Sequence, residues 1–151
     1  MGAGGITISD SAGNLRVFLR LKGEGSPFLV FTDKSEKVRV SISCDAVRIN
    51  DTNGNSSVIL NIGEDGPALT LAGQNENPRA SMALVKDGAC IILFDETHDR
   101  IHLTAAKDQA SIVFNDAAEN PRIGIAIGKE GSGSLAVLDC EGHVVQGLGE
   151  E

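Results

Sequence analysis

The chain contains no tryptophan and no tyrosine, and five phenylalanines are its only aromatic residues. Without those rings it lacks the usual platforms for stacking bases or sugars, and its core must come from Ile, Leu, Val and Ala. Cysteine is scarce. Cys44, Cys90 and Cys140 stand far apart with no C-x-x-C pair, which excludes a disulfide framework or a zinc knuckle. Positive charge is short as well: 13 Lys and Arg stand against 21 Asp and Glu, for a net charge of −8. Duplex nucleic acid and anionic membrane surfaces are therefore poor partners, because both are bound through Lys and Arg. No apolar run approaches the ~20 residues of a membrane-spanning helix. The opening MGAGGITISD has neither the basic nor the apolar region of a secretory leader. The myristoylation pattern fails at Ile6, where Ser or Thr is needed. On these grounds the chain reads as cytoplasmic. A convincing 3.6-residue apolar stripe is also missing, which argues against helices.

What is present is regular. With 151 residues, 41% hydrophobic and 23% charged, the composition is that of one globular domain spanning residues 1–151. Eighteen glycines announce many turns. DSAGNLR at residues 10–16 returns in looser form as DKSEKVR (33–39), DTNGNSS (51–57) and DAAENPR (116–122). Two alternating apolar positions precede each anchor: Ile6 and Ile8 before Asp10, Leu29 and Phe31 before Asp33, Val47 and Ile49 before Asp51. The series continues with Leu69 and Leu71 before Gly73, Ile91 and Leu93 before Asp95, Ile112 and Phe114 before Asp116, and Leu135 and Val137 before Asp139. The anchors are spaced by 23, 18, 22, 22, 21 and 23 residues, which makes seven units in the range of repeat architectures.

A second alternating run follows most anchors, as in Val17, Leu19, Leu21 and in Ile123, Ile125, Ile127. Alternation with period two and a high content of β-branched residues specify half-buried strands. Asp at the first turn position and Gly at the fourth, as in Asp10–Gly13 and Asp51–Gly54, fit a type I turn followed by a residue with positive φ. The predicted structural turn residues are Asp10, Gly13, Asp33, Asp51, Gly54, Asp95, Asp116 and Asp139. If Ile8 faces Val17 and Ile6 faces Leu19, both apolar sets fall on one face. Pro78 and Pro121 belong at turn exits or at first strand positions, since proline cannot donate to a ladder. ENPR occurs at 76–79 and again at 119–122, which hints at a double repeat of 43 residues.

These features predict an all-β fold of tandem strand–turn–strand units, arranged as an antiparallel hairpin array that curls into a bent sheet or a barrel-like form. A β-solenoid and, behind it, a β-trefoil are the alternatives. The repeat resembles the tandem L-x-L-x-D-x-x-G-x-x-R units of bacterial proteins, from Ile6 to about Val145. Its turn is also similar to the YD repeats of Rhs-type toxin shells, a resemblance that implies a spiralling sheet of hairpins. The tyrosine of a YD repeat is missing before every Asp, so a toxin-shell role does not carry over.

Chemistry is thin. The Asp series lacks the dense D-x-D-x-D-G spacing of a calcium loop, so each Asp is read as serving its own turn. Arg16, Arg39, Arg79, Arg100 and Arg122 start the second strands and are read as pairing with acids of neighbouring units. His98 and His102 are four apart, but not on a helix, and no third ligand lies nearby. GKEGSGS at 128–134 lacks the ending and the helix of a phosphate loop, and no nucleophile elbow exists. The reading is therefore non-enzymatic, with no cofactor and no metal. Phe18, Phe28, Val30, Ile59, Ile92, Phe94 and Val113 fall opposite the main apolar face and form the candidate interface. The function expected is a binding or structural module that self-associates into a homo-oligomer. The alternative is a small-molecule- or carbohydrate-binding β-barrel or trefoil lectin-like domain.

Overall fold

A computed structural model of the chain describes residues 4–22, 25–64 and 66–149. Among them fourteen strands follow in order: β1 (Ile6–Ser9), β2 (Leu15–Lys22), β3 (Ser26–Thr32), β4 (Val38–Ile42), β5 (Ala46–Asn50), β6 (Ser56–Gly63) and β7 (Gly66–Ala72). Then come β8 (Pro78–Val85), β9 (Gly88–Phe94), β10 (Asp99–Ala106), β11 (Gln109–Asn115), β12 (Pro121–Gly128), β13 (Gly133–Leu138) and β14 (Val144–Gly149). The only helical turn among the described residues is a single 3₁₀ turn at Gln74–Glu76. Pro78 and Pro121 are the first residues of their strands, where no ladder donor is needed.

All fourteen strands belong to one sheet, and their order across it is their order in the chain. Every pairing is antiparallel. This removes the β-solenoid and the β-trefoil, because a solenoid needs parallel ladders and a trefoil needs closure. It removes barrel-like closure too: β1 and β14 are the two free edges of an open sheet. Substantial contacts run only between strands adjacent in sequence, plus the 3₁₀ turn against β6. Among the described residues no second layer covers either face.

The register follows the apolar alternation. Ile6 faces Leu19 and Ile8 faces Val17. The rows run on through Leu19–Leu29–Ile42–Val47–Leu60–Leu69–Met82–Ile91–Leu103–Ile112–Ile125–Leu135. One face thus collects nearly every large aliphatic residue of the chain, because a period of two puts alternate side chains on the same side. The opposite face is mixed: Phe18, Val30, Ser41, Arg48, Ile59, Thr70, Ser81, Ile92 and His102 form a continuous row.

A one-sided sheet with nothing upon it buries little. Among the described residues only Val30 and Ala46 are buried hydrophobics, and Ser56 is the one buried polar residue. Ile6, Ile62 and Leu148 are 66%, 69% and 66% exposed, and many further aliphatic residues of that face exceed a third. Soluble domains bury such a face against another element. Among the described residues no such element is present.

Candidate functional surfaces

At one end of the sheet, called here the aspartate end, the seven anchor turns stand in a row. Five of them, at Asp10, Asp33, Asp51, Asp116 and Asp139, are built alike. The N–H of Asp10 donates to the carbonyl of Asn14 (2.9 Å), and the N–H of Gly13 donates to the carbonyl of Asp10 (3.0 Å). Ala12 and Asn14 donate their N–H groups to Asp10 Oδ1 at 3.0 and 2.9 Å. The same two bonds to one carboxylate oxygen recur at Asp33, Asp51, Asp116 and Asp139. Asp95 holds Thr97 and His98 instead, because its loop is one residue shorter. The fourth turn residue has positive φ at Gly13 (86°), Gly54 (97°) and Gly142 (87°). Glu36 (59°), Glu76 (62°) and Glu119 (62°) adopt the same left-handed region at the corresponding place. Six of the seven turns, odd and even alike, therefore share this backbone, and the shorter loop of Asp95 does not.

Every anchor hairpin carries one register shift, at Ile8/Ser9, Phe31/Thr32, Ile49/Asn50, Leu71/Ala72, Asp99/Ile101, Phe114/Asn115 and Val137/Leu138. The residue skipped is Arg16, Arg39, Arg79, Arg100 or Arg122 in five of the seven. A β-bulge re-aims the side chain it carries, and these arginines turn back over their own loops. Arg16 and Arg122 grip Asp10 Oδ2 and Asp116 Oδ2 through two nitrogens each. Arg100 reaches Asp95 Oδ2 at 2.8 Å, and Arg39 stands 3.7 Å from Asp33 Oδ2. This corrects the expectation that the arginines pair with acids of neighbouring units. Only Arg79 does so, 3.5 Å from Glu96, because its own anchor is Gly73.

What does cross between units is a chain of single links. Arg16 donates to the Asp33 carbonyl, Lys37 to that of Thr52 (3.0 Å), Arg100 to that of Asn115 (3.0 Å) and Arg122 to that of Asp139. Glu76 accepts the N–H of Ser56 at 2.8 Å. With the Arg79–Glu96 pair, every adjacent pair of turns is joined. A second set of links comes from the residue before the anchor: Thr32, Asn50 and Asn115 donate to the carbonyls of Leu15, Val38 and Asp99.

This bonding sets the acidity of the turns. The side-chain donors Asn14 and Arg16 hold Asp10 at about 2, and Arg122 with the N–H of Asn120 holds Asp116 at about 2. Asp95 lies far below the ordinary carboxylate range through the N–H of Thr97 and the side chain of Arg100. At Asp51 partial burial raises the carboxyl, but the N–H groups of Asn55 and Asn53 outweigh it and the net shift is downward. The N–H of His143 lowers Asp139. The carboxylate oxygens are committed to donors of their own unit, which leaves them poor ligands for a cation. Among the described residues no group of three His, Cys, Asp or Glu side chains could hold a metal ion. His102 Nε2 lies 3.0 Å from Asp99 Oδ2, and His98 Nδ1 lies 2.6 Å from the Thr97 hydroxyl. Those two rings thus have separate partners. Cys44, Cys90 and Cys140 are free thiols.

The candidate interface residues divide into groups. Phe18 and Phe28 meet edge to face with centroids 5.6 Å apart, Arg20 lies 5.0 Å over the Phe18 ring, and Val30 pairs with Phe18. Ile92 and Val113 flank His102. Ile59 sits between Arg48 and Thr70, and Phe94 pairs with Asp99 at the turn. Phe18 on β2 and Phe94 on β9 are seven strands apart, about 34 Å at ~4.8 Å per strand. The seven residues do not meet in one patch, and each is at least partly covered by neighbours on its own face.

The other face was the larger signal. It is continuous, and a shallow depression of about 490 Å³ lies on it, with Ala89, Ala105 and Ala110 as a floor between Met82, Ile91, Leu103, Ile112, Ile125 and Ile127. The depression exists because alanines replace large side chains in three consecutive strands. No helix among the described residues is long and apolar enough to cross a membrane. Compared with protein-family models and with curated proteins, the chain matches none.

Proposed function

We propose that the chain is a non-enzymatic structural or binding module, a strip of tandem hairpins that self-associates. The observation that supports this most is the face formed by Leu19, Leu60, Leu69, Ile91, Leu103, Ile125 and their neighbours, which no described residue of the chain covers. A contiguous apolar surface far larger than a few hundred Å² marks an association site. The aspartate end supports the structural half of the reading: its polar side chains are spent on one another and on turn backbone, not held ready for a substrate. Light scattering tests it. The expected mass is at least twice 15.7 kDa at micromolar concentration, and a strictly monomeric chain would refute self-association.

A second reading, a small-molecule-binding sheet, draws support from the depression over Ala89, Ala105 and Ala110. It is an apolar hollow, suited to an acyl chain or a steroid-like body and poorly suited to a sugar. Saturable binding of an apolar fluorescent probe to the assembled protein, lost in Ala105→Leu, would bring this reading forward.

A further inference from the structure

We infer that the aliphatic face, not the phenylalanine face, is where copies of the chain meet, so that a second copy supplies the missing layer. The inference rests on the self-association proposed above and names its surface and its occupant.

The areas carry it. A compact monomer of 15.7 kDa exposes about 7,300 Å² by the usual scaling of surface with mass. This chain exposes 10,470 Å², an excess of roughly 3,200 Å² over that scaling. The aliphatic face measures roughly 60 Å by 20 Å from strand number and strand length, ~1,200 Å² in projection and more when its side chains are followed. Two such faces in contact bury well over 2,000 Å² in total, the range of obligate homodimers and above the ~1,600 Å² of a standard interface.

Composition selects a second copy over other occupants. The rows of the face, from Ile6 through Val137, are Ile, Leu, Val, Phe, Met, Ala, Pro and Gly, and no ionised side chain stands in them. Like faces therefore meet without like-charge repulsion, and no charge pattern asks for a complementary partner. Two stacked sheets settle ~10 Å apart with their side chains interdigitated, the geometry of a sandwich core. A small ligand in the depression would cover only β8 to β12. A bilayer would have to accept a chain of net charge −8.

Met82 reports on the arrangement without any mutation. It lies on the aliphatic face, 52% exposed in the single copy, and the only other methionine is Met1. Hydrogen peroxide should oxidise Met82 in the native protein at least tenfold more slowly than in the urea-unfolded chain, read as sulfoxide by peptide mass spectrometry. Alkylation of the exposed Cys140 serves as the accessibility control. As a second arm, Leu60→Lys with Leu103→Lys should lower the mass seen by light scattering or unfold the chain. Phe18→Asp and Phe94→Asp should leave the mass unchanged. An assembled protein whose Met82 oxidises at the unfolded rate, or whose mass falls only with the Phe variants, overturns the assignment of the face and leaves self-association standing. A monomeric wild type removes the underlying reading instead.

Discussion

The two ends of the hairpins solve one problem by different physics. Each must keep adjacent hairpins in register at a place where the ladder stops. At the aspartate end the solution is polar: carboxylates close the loops, bulged arginines hold the carboxylates, and a link runs from every turn to the next. At the opposite end, the turns that carry Lys86 and Lys107 are shorter, the turn of Lys129 closes with the same backbone bonds as an anchor turn, and the three lysines lie open to solvent. An ion pair across turns there, Lys129 to Asp108, is 3.7 Å long and largely exposed. Register there depends on the backbone: the N–H of Lys107 donates to the Asp87 carbonyl (3.2 Å), that of Ile62 to the Asp45 carbonyl (3.0 Å), and the chains approach closely. A Cβ on Gly66 would stand 2.5 Å from the Leu84 carbonyl oxygen, and one on Gly88 would overlap the Ala105 carbonyl. The contrast teaches that a sheet can be aligned from its margins, by side-chain bonding at one and by backbone bonding with steric fit at the other.

The comparison can be broken most severely at the glycine end. Gly88→Ala should cost about 2–3 kcal/mol, since the new methyl meets backbone that cannot rotate away, and chemical denaturation will measure it. Asp116→Ala comes next. It strips two backbone N–H groups and the Arg122 guanidinium of their acceptor, and should lower the melting temperature by roughly 5 °C. Arg122→Ala should lower it less, since the turn bonds of Asp116 survive. Acid tests the same feature. Because the folded-state pKa of Asp10 and Asp116 sits near 2, below the unfolded value near 3.9, the stability they contribute is present above about pH 4. It is lost as the pH falls toward 2. Melting temperatures should be flat from pH 7 to 5 and fall steeply below 4. The fall should be shallower in Asp116→Ala.

Smaller effects sharpen the picture of the turns. Gly54→Val forces a β-branched residue to a φ of 97° and should cost about 1–2 kcal/mol. Glu119→Gly should do the reverse and stabilise by about 1 kcal/mol, as it relieves a left-handed non-glycine residue at φ 62°. Lys107→Ala, at the open turns, should stay within ~0.5 kcal/mol of wild type. Calcium should shift none of these melting temperatures, because the carboxylates already have their donors.

The strands and their register were legible in the residues, because alternation with period two leaves only one way to put Ile6, Ile8, Val17 and Leu19 on the same side. The turn geometry was legible at Asp10 and Asp51, where Gly13 and Gly54 mark the positive φ. It was hidden at Glu36 and Glu119, where tertiary pairing of the flanking strands imposes a conformation that the residue itself resists. The arginine contacts were misjudged for a related reason: spacing alone does not reveal the bulge that turns Arg16 and Arg122 back onto their own Asp. Openness was not legible at all. Alternation demands that a face be covered and is silent on whether the cover comes from the same chain. In the pattern Phe18, Phe28 and Phe94 stand out on one face, while the aliphatic face of the other side is the one left uncovered among the described residues.

Because the order of strands in space is their order in the chain, no pairing waits for a distant segment to arrive. Loop-closure entropy, which slows most all-β proteins, is paid in small equal instalments here. Each hairpin can form as soon as its two strands exist, during synthesis as readily as in the test tube. The rate of this local step should not depend on how many hairpins the chain contains, so removing one whole unit should shorten the strip without slowing its growth.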